Sequence, residues 1–138
     1  MPADPALVET LRAALADRKD VELALLFGSR ARGRFRPDSD VDVAYLGKEV
    51  DPLELGAHLT SATRLEVQAV DIHRASYPLL MALLRDGIVL HEGKRGTAGR
   101  WRSHAITETE LDRPGFERMR EALFDRLARR AQARQAHG

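Results

Sequence analysis

The sequence predicts an α/β (α+β) fold, with one small mixed sheet of three to four strands flanked by helices. Three observations carry this expectation. Helical and strand-like patterns alternate along the chain instead of segregating into blocks, which favours helices packed on a sheet. Its 138 residues suit one hydrophobic core and would leave two half-sized cores marginal. The apolar runs are short and bounded by Gly, Pro or Asp, as strands and capped helices are.

Asp4 can cap a helix with Pro5 at its first position, and Leu7, Val8, Leu11 and Leu15 recur at helical spacing to about Asp17. The run from Val21 to Phe27 is apolar and ends at Gly28, as a mostly buried strand does. A loop rich in Gly and Arg is expected to Asp38. Polar and apolar positions then alternate from Ser39 to Leu46, which predicts a second strand with its acids on one side. Asp51-Pro52 repeats the cap-plus-proline signal and opens a helix through Leu53, Leu55 and Leu59 to near Thr63. Leu65 to Ile72 reads as the third strand. Leucines make Ser76 to Asp86 helical, Gly87 stops it, and Ile88-Val89-Leu90 is a short edge strand. Glu92 to Gly99 is polar and glycine-rich and reads as a loop. A short helix around Trp101 follows, then a long one capped by Asp112 with Pro114 in its first turn. Phe116, Met119, Leu123, Leu127 and Ala131 would line the apolar face of this last helix. With no repeat or linker, residues 1–138 form one domain, with a core over 1–92 and a helical extension over 93–138.

Composition narrows the chemistry. The absence of cysteine excludes disulfides, thiolate metal sites and a cysteine nucleophile, so a metal must be held by oxygen or imidazole. No apolar run approaches the roughly 20 residues of a membrane span, and the N-terminus has no basic-then-apolar leader. A cytoplasmic protein without membrane contact is expected. The net charge of +1 conceals an asymmetry: residues 1–92 carry 11 basic and 15 acidic side chains, whereas residues 93–138 carry 11 and 6. Lys19, Lys48 and Lys94 are the only lysines among 22 basic residues. Arg enrichment favours bidentate contacts to phosphate or carboxylate where those side chains have partners, but alone it is weak evidence, and a solvated surface is the simpler account.

The informative spacing is Gly28-Ser29 at the end of the first strand, then Asp40-Val41-Asp42 at the start of the second. Carboxylates two residues apart on a strand leave the same face roughly 6.5 Å apart. That separation is too wide to share a proton and suits a hard cation, and Mg²⁺ takes one or two carboxylates together with substrate phosphates. Glycine allows close backbone approach, while amide N–H groups and a serine hydroxyl can bind phosphate oxygens. Asp-x-Asp alone, or Gly-Ser alone, is usually only a turn or a solvated strand edge. Their conjunction across two strands describes a metal–nucleoside triphosphate site.

These residues resemble the signature of the polymerase-β-type nucleotidyltransferases. Leu26-Phe27-Gly28-Ser29-Arg30-Ala31-Arg32-Gly33 and Ser39-Asp40-Val41-Asp42-Val43 are similar to the minimal single-domain branch, the MNT proteins. The likeness continues through Val70-Asp71-Ile72-His73-Arg74-Ala75, through Leu84 to Leu90, and into the C-terminal helix. It implies a nucleotidyltransferase fold and an antitoxin that transfers AMP from ATP, with Mg²⁺ or Mn²⁺, to a tyrosine of a HEPN-type ribonuclease toxin. On this resemblance Gly28 and Ser29 would hold the outer phosphates and Asp40 and Asp42 would be catalytic metal ligands, while Arg30 and Arg32 are expected to bind the nucleotide because they sit closest to the Gly-Ser turn, with a solvated loop as the alternative. Two ions would polarise the α-phosphate and stabilise the leaving pyrophosphate.

The family's third carboxylate falls at Gln68, which is neither an anionic ligand nor a base. Glu66 shares the parity of Gln68 in a regular strand. Asp71 has the opposite parity, and a bulge would be needed to turn it inward as the third catalytic acid. Two alternatives therefore accompany the enzyme reading: a catalytically weakened relative that neutralises its toxin by binding alone, and a nucleotidyltransferase acting on an aminoglycoside-type small molecule.

Other features are weaker. Arg34 and Arg36 read as loop cations, His73 and His91 as surface residues, and Tyr45 and Tyr77 as packing residues. Trp101 with Phe116 and Phe124 would pack the C-terminal helices on the sheet. Arg118, Arg126, Arg129 and Arg130 make a solvated basic face or a docking surface for the toxin in a hetero-oligomer. No side chain suited to reading nucleic-acid bases stands out.

Overall fold

A computed structural model describes residues 3–137. Phe116, Met119, Leu123, Leu127 and Ala131, on which the apolar face of the last helix was expected, and Phe124, expected to pack with Trp101, have side chains outside the described residues. The element order is α1 (Pro5–Leu15), β1 (Val21–Phe27), α2 (Ser29–Arg32), β2 (Val41–Gly47), α3 (Pro52–Thr63), β3 (Val67–Asp71), a 3₁₀ turn over Ile72–Arg74, α4 (Tyr77–Asp86), β4 (Ile88–Glu92) and α5 (Thr97–His137).

The four strands form one mixed sheet in the order β3-β2-β1-β4. β1 is antiparallel to β2 and β4, and β2 is parallel to β3. Central β1 has apolar side chains on both faces, as its unbroken run predicts. Val21, Ala24 and Leu26 join Leu7, Leu11, Leu15, Leu55 and Leu59 in a core beneath α1 and α3. Leu23 and Leu25 join Ala44, Ile72 and Leu83 beneath α4, with Ala98 and Trp101 at the start of α5 packed against them. Burying these side chains on both faces is the main stabilising term, at about 1.5–3 kcal/mol for each large one.

Caps set the helix starts. Asp4 accepts from Ala6 N at 3.0 Å, Asp51 from Leu53 N at 2.9 Å and Ser76 from Leu79 N at 3.4 Å, each ahead of a proline within the first two helical positions. Both sheet edges are covered. On β4, Arg12 Nη2 donates to Val89 O at 3.1 Å. On β3, Thr60 Oγ1 accepts from Val67 N at 3.0 Å, and α3 lies so close that a Cβ on Gly56 would stand 3.0 Å from Val67 O.

The structure corrects the expected elements at three places. Part of the Gly/Arg loop is a single helical turn, α2, closed by Gly33 at φ 71°. The third strand is shorter than Leu65–Ile72: Arg64 ends α3 at φ 60°, and Ile72 already belongs to the 3₁₀ turn. The expected pair of C-terminal helices is one continuous 41-residue helix that starts at Thr97, inside the expected loop. Glu92 Oε1 accepts from Ala98 N at 2.8 Å and Thr97 Oγ1 donates to Lys94 O at 2.6 Å, so the start is fastened locally. The Asp112/Pro114 signal is equally local, and between it and Trp101 no glycine interrupts the helix. Among the described residues no helix is long and apolar enough to cross a membrane.

Candidate active site

Two adjacent strands and the turn between them build the site. Phe27, the last residue of β1, pairs with Asp42 near the start of β2. The next residue, Gly28, takes φ 78° and ψ −156°, a conformation glycine reaches without strain. A Cβ there would lie 2.7 Å from Asp42 Oδ2, so glycine is what lets the turn approach the carboxylate. Gly28 O accepts from Ala31 N at 3.1 Å and Arg32 N at 3.2 Å, which closes α2 with Ser29 as its first residue. The sequence expectation of a Gly-Ser turn facing the Asp-x-Asp strand describes this geometry.

Asp42 shares its sheet face with Ala44 and Leu46, and the alternation of the strand sends Asp40 to that same side. Asp40 is exposed, whereas Asp42 is half-buried. Burial pushes the Asp42 carboxyl above the usual carboxylate range, and the charge of Asp40 pushes it further. The pair therefore concentrates negative charge that a bound cation would compensate.

The third-carboxylate position resolves by register. β2 and β3 run without a bulge, and Gln68 sits opposite Asp42. Its Nε2 makes a long 3.5 Å contact to Asp40 Oδ2. Asp71, expected as a catalytic acid if the strand bulged, sits opposite Tyr45 on the other face of the sheet. Its Oδ1 accepts from His73 N at 2.9 Å and caps the 3₁₀ turn, and its charge helps burial to raise the Tyr45 phenol. The structure thus brings Gln68 to Asp40 and Asp42 and holds Asp71 away. Glu66 is exposed just before β3, its carbonyl accepting from Val41 N at 2.9 Å. Among the described residues no group of three His, Cys, Asp or Glu side chains comes together.

The two arginines beside the turn differ in kind. Arg30, expected at the nucleotide, is buried, and its guanidinium donates to Ser39 O at 2.9 and 3.3 Å and to Pro37 O at 3.2 Å. It also stacks on Phe35 at 4.3 Å from the ring centroid. Arg30 therefore holds the loop that delivers Asp40. Sequence reasoning missed this because the carbonyls it binds carry no residue signature. Arg32 is exposed, with Nη1 3.8 Å from Asp86 Oδ2, an acid that Arg85 Nε also engages at 2.9 Å.

Residues 9–95 match the family described as polymerase beta, nucleotidyltransferase. No curated protein is significantly similar in sequence. Among solved structures, a chain of a toxin–antitoxin complex with AMP-PNP is similar at 25% identity and TM-score 0.70, over 87% of this chain and 97% of that one. A chain of the MntA-HepT toxin–antitoxin complex is similar at 22% identity and TM-score 0.66, over 90% and 98%. A third, from the tri-AMPylated HEPN toxin of Shewanella oneidensis in complex with its MNT antitoxin, has 23% identity and TM-score 0.62, over 88% and 96%.

Proposed function

The chain belongs to the polymerase-β nucleotidyltransferase family, and from that premise we propose that it is an antitoxin that transfers AMP from Mg-ATP to a tyrosine of a HEPN-type ribonuclease toxin. The observation that carries the reading is the approach of the Gly28 turn to Asp42, beside Asp40 on one sheet face. The likeness to a toxin–antitoxin chain solved with AMP-PNP supports both the nucleotide and the partner.

The donor set fits a hard divalent cation: two carboxylates on one face, one of them half-buried, with oxygen ligands left to phosphate and water. When bound, such an ion polarises the α-phosphate and neutralises charge on the departing pyrophosphate. Gly28 and Ser29 would present backbone amide and hydroxyl to the outer phosphates. Arg32 would add a cation at the rim, and Arg30 would keep Asp40 in place through Ser39. The acceptor tyrosine oxygen forms a bond to the α-phosphorus as the bond to the β-phosphate oxygen breaks. Gln68 cannot accept the tyrosine proton, so that proton passes to solvent or to a group on the partner.

Gln68 favours a second reading, in which the chain neutralises its toxin by binding alone. Incubating the full chain with Mg-ATP and the protein encoded beside it, then measuring intact masses, separates the two. AMP-sized mass increments on the toxin that vanish with Asp40→Asn/Asp42→Asn support transfer. An unmodified but inhibited toxin supports the second reading.

A further inference from the structure

At the end of the sheet away from Asp40 and Asp42, two cavities adjoin. One, of about 530 Å³, is lined by Lys19, Lys48, Lys94 and Arg100, with Glu22 the acid in its wall. These are all three lysines of a chain that otherwise uses arginine. They come from three separate segments, before β1, after β2 and after β4, and all are exposed. Among the described residues, none of their ammonium groups is in an ion pair or hydrogen bond. Four cations against the single carboxylate of Glu22 leave a surplus of like charge along the cavity, and an anion bound there lowers that repulsion.

The second cavity, of about 780 Å³, shares Thr97 and Arg100 with the first. Leu46, Ile72 and Leu80 give it an apolar floor, and Trp101, the single tryptophan of the chain, stands half-buried in its wall. His73 and His104 are at its margin, where His104 Nε2 is 2.9 Å from Glu108 Oε1. Arg100 thus separates a cationic basin from an aromatic, apolar one. Val21 in the first cavity stands six residue steps along β1 from Phe27 opposite Asp42, a span of about 20 Å, and Leu46 in the second stands four steps along β2 from Asp42, about 13 Å. The Asp40/Asp42 pair is therefore a different place.

We propose that the two cavities form a second site that takes a nucleoside phosphate, with phosphate among Lys19, Lys48, Lys94 and Arg100 and the base against Trp101. Lysine suits this role because its compact charge sits on a flexible stem and imposes no orientation on the phosphate. A base stacked on an aromatic face needs no matched hydrogen bonds, so the site tolerates any base. Both a free nucleotide and a nucleotide within an RNA strand carry this chemistry.

Because Trp101 is the only tryptophan, the tryptophan emission of the chain comes from the wall of this cavity. The full chain is titrated in EDTA, where Asp40 and Asp42 lack a cation and repel triphosphate, with ATP, AMP, adenosine, tripolyphosphate and oligoadenylate. ATP is expected to change Trp101 emission saturably, and adenosine to bind about tenfold more weakly or worse. Lys19→Glu/Lys48→Glu/Lys94→Glu is expected to weaken ATP about tenfold or more with an unchanged circular dichroism spectrum. Glu22→Lys, which adds charge at an exposed position, is expected to tighten ATP about threefold at low salt. Oligoadenylate binding more tightly than ATP supports the proposal with a strand as the source, and the reverse order supports it with a free nucleotide. No saturable change, equal affinity of wild type and Glu22→Lys, equal affinity of wild type and the folded triple variant, or tripolyphosphate binding as tightly as ATP overturns it.

Discussion

Asp42 carries a charge that its surroundings disfavour. Its carboxyl titrates above the ordinary range because of burial first and Asp40 second. With the folded-state value raised, the favourable contribution is present at low pH and is lost as pH rises through that value, unless a cation is bound. Asp42→Asn should therefore raise the Tm of the metal-free chain near pH 7, by roughly 1–3 °C, while abolishing AMP transfer. A lowered Tm would show that the charge is already compensated within the fold. Mg²⁺ affinity should weaken as pH falls through a range higher than that of an ordinary aspartate, which calorimetric titration at several pH values would measure. At the neighbouring position, Gln68→Asp adds a ligand and a proton acceptor opposite Asp42. It should raise the rate of AMP transfer by about 10², and change ATP affinity far less. Asp71→Asn should leave transfer nearly unchanged and destabilise the 3₁₀ turn that it caps. The parity of Gln68, Glu66 and Asp71 was legible in the sequence because side-chain alternation needs only the strand. What was not legible was the absence of a bulge, which depends on the ladder with β2.

The loop from Gly33 to Asp40 has no regular structure of its own, and Arg30 holds it through two carbonyls and the ring of Phe35. Arg30→Lys should disorder the approach to Asp40, because one ammonium cannot span both carbonyls or stack as a planar group. The expected outcome is weaker Mn²⁺ binding, read by titration, with a loss of about 1–2 kcal/mol in denaturant unfolding. Gly28→Ala strains the backbone at φ 78° and drives a methyl into Asp42, and should cost about 1–3 kcal/mol together with nucleotide binding. Helix starts were legible because Asp4, Asp51 and Ser76 announce themselves beside prolines. The end of β3 and the continuity of α5 were not: Asp71 reads as a strand residue until its side chain is seen to cap the turn at His73 N, and the Asp112/Pro114 start signal lies within a helix already running from Thr97. Nor was α2, a single turn that two hydrogen bonds to Gly28 O create within a segment whose composition reads as loop.

Seen whole, the chain is a sheet between α1 with α3 on one side and α4 with the start of α5 on the other, and its α/β class follows from the alternation visible in the sequence. The basic surplus beyond residue 92 lies mostly on α5, where Arg126 and Arg130 are exposed. If the toxin docks there, its association should weaken with salt and with Arg126→Glu/Arg130→Glu, measured by surface binding at two ionic strengths. Indifference to both would remove α5 charge from the partner interface. The uninterrupted α5 also sets how the chain moves. Its 41 residues extend about 60 Å at 1.5 Å per residue, against a radius of gyration of about 12 Å expected for a globule the size of residues 3–96. A rod fixed to a ball of that size encounters more viscous drag than a sphere of equal mass, and it tumbles slowly end over end while spinning quickly about its long axis.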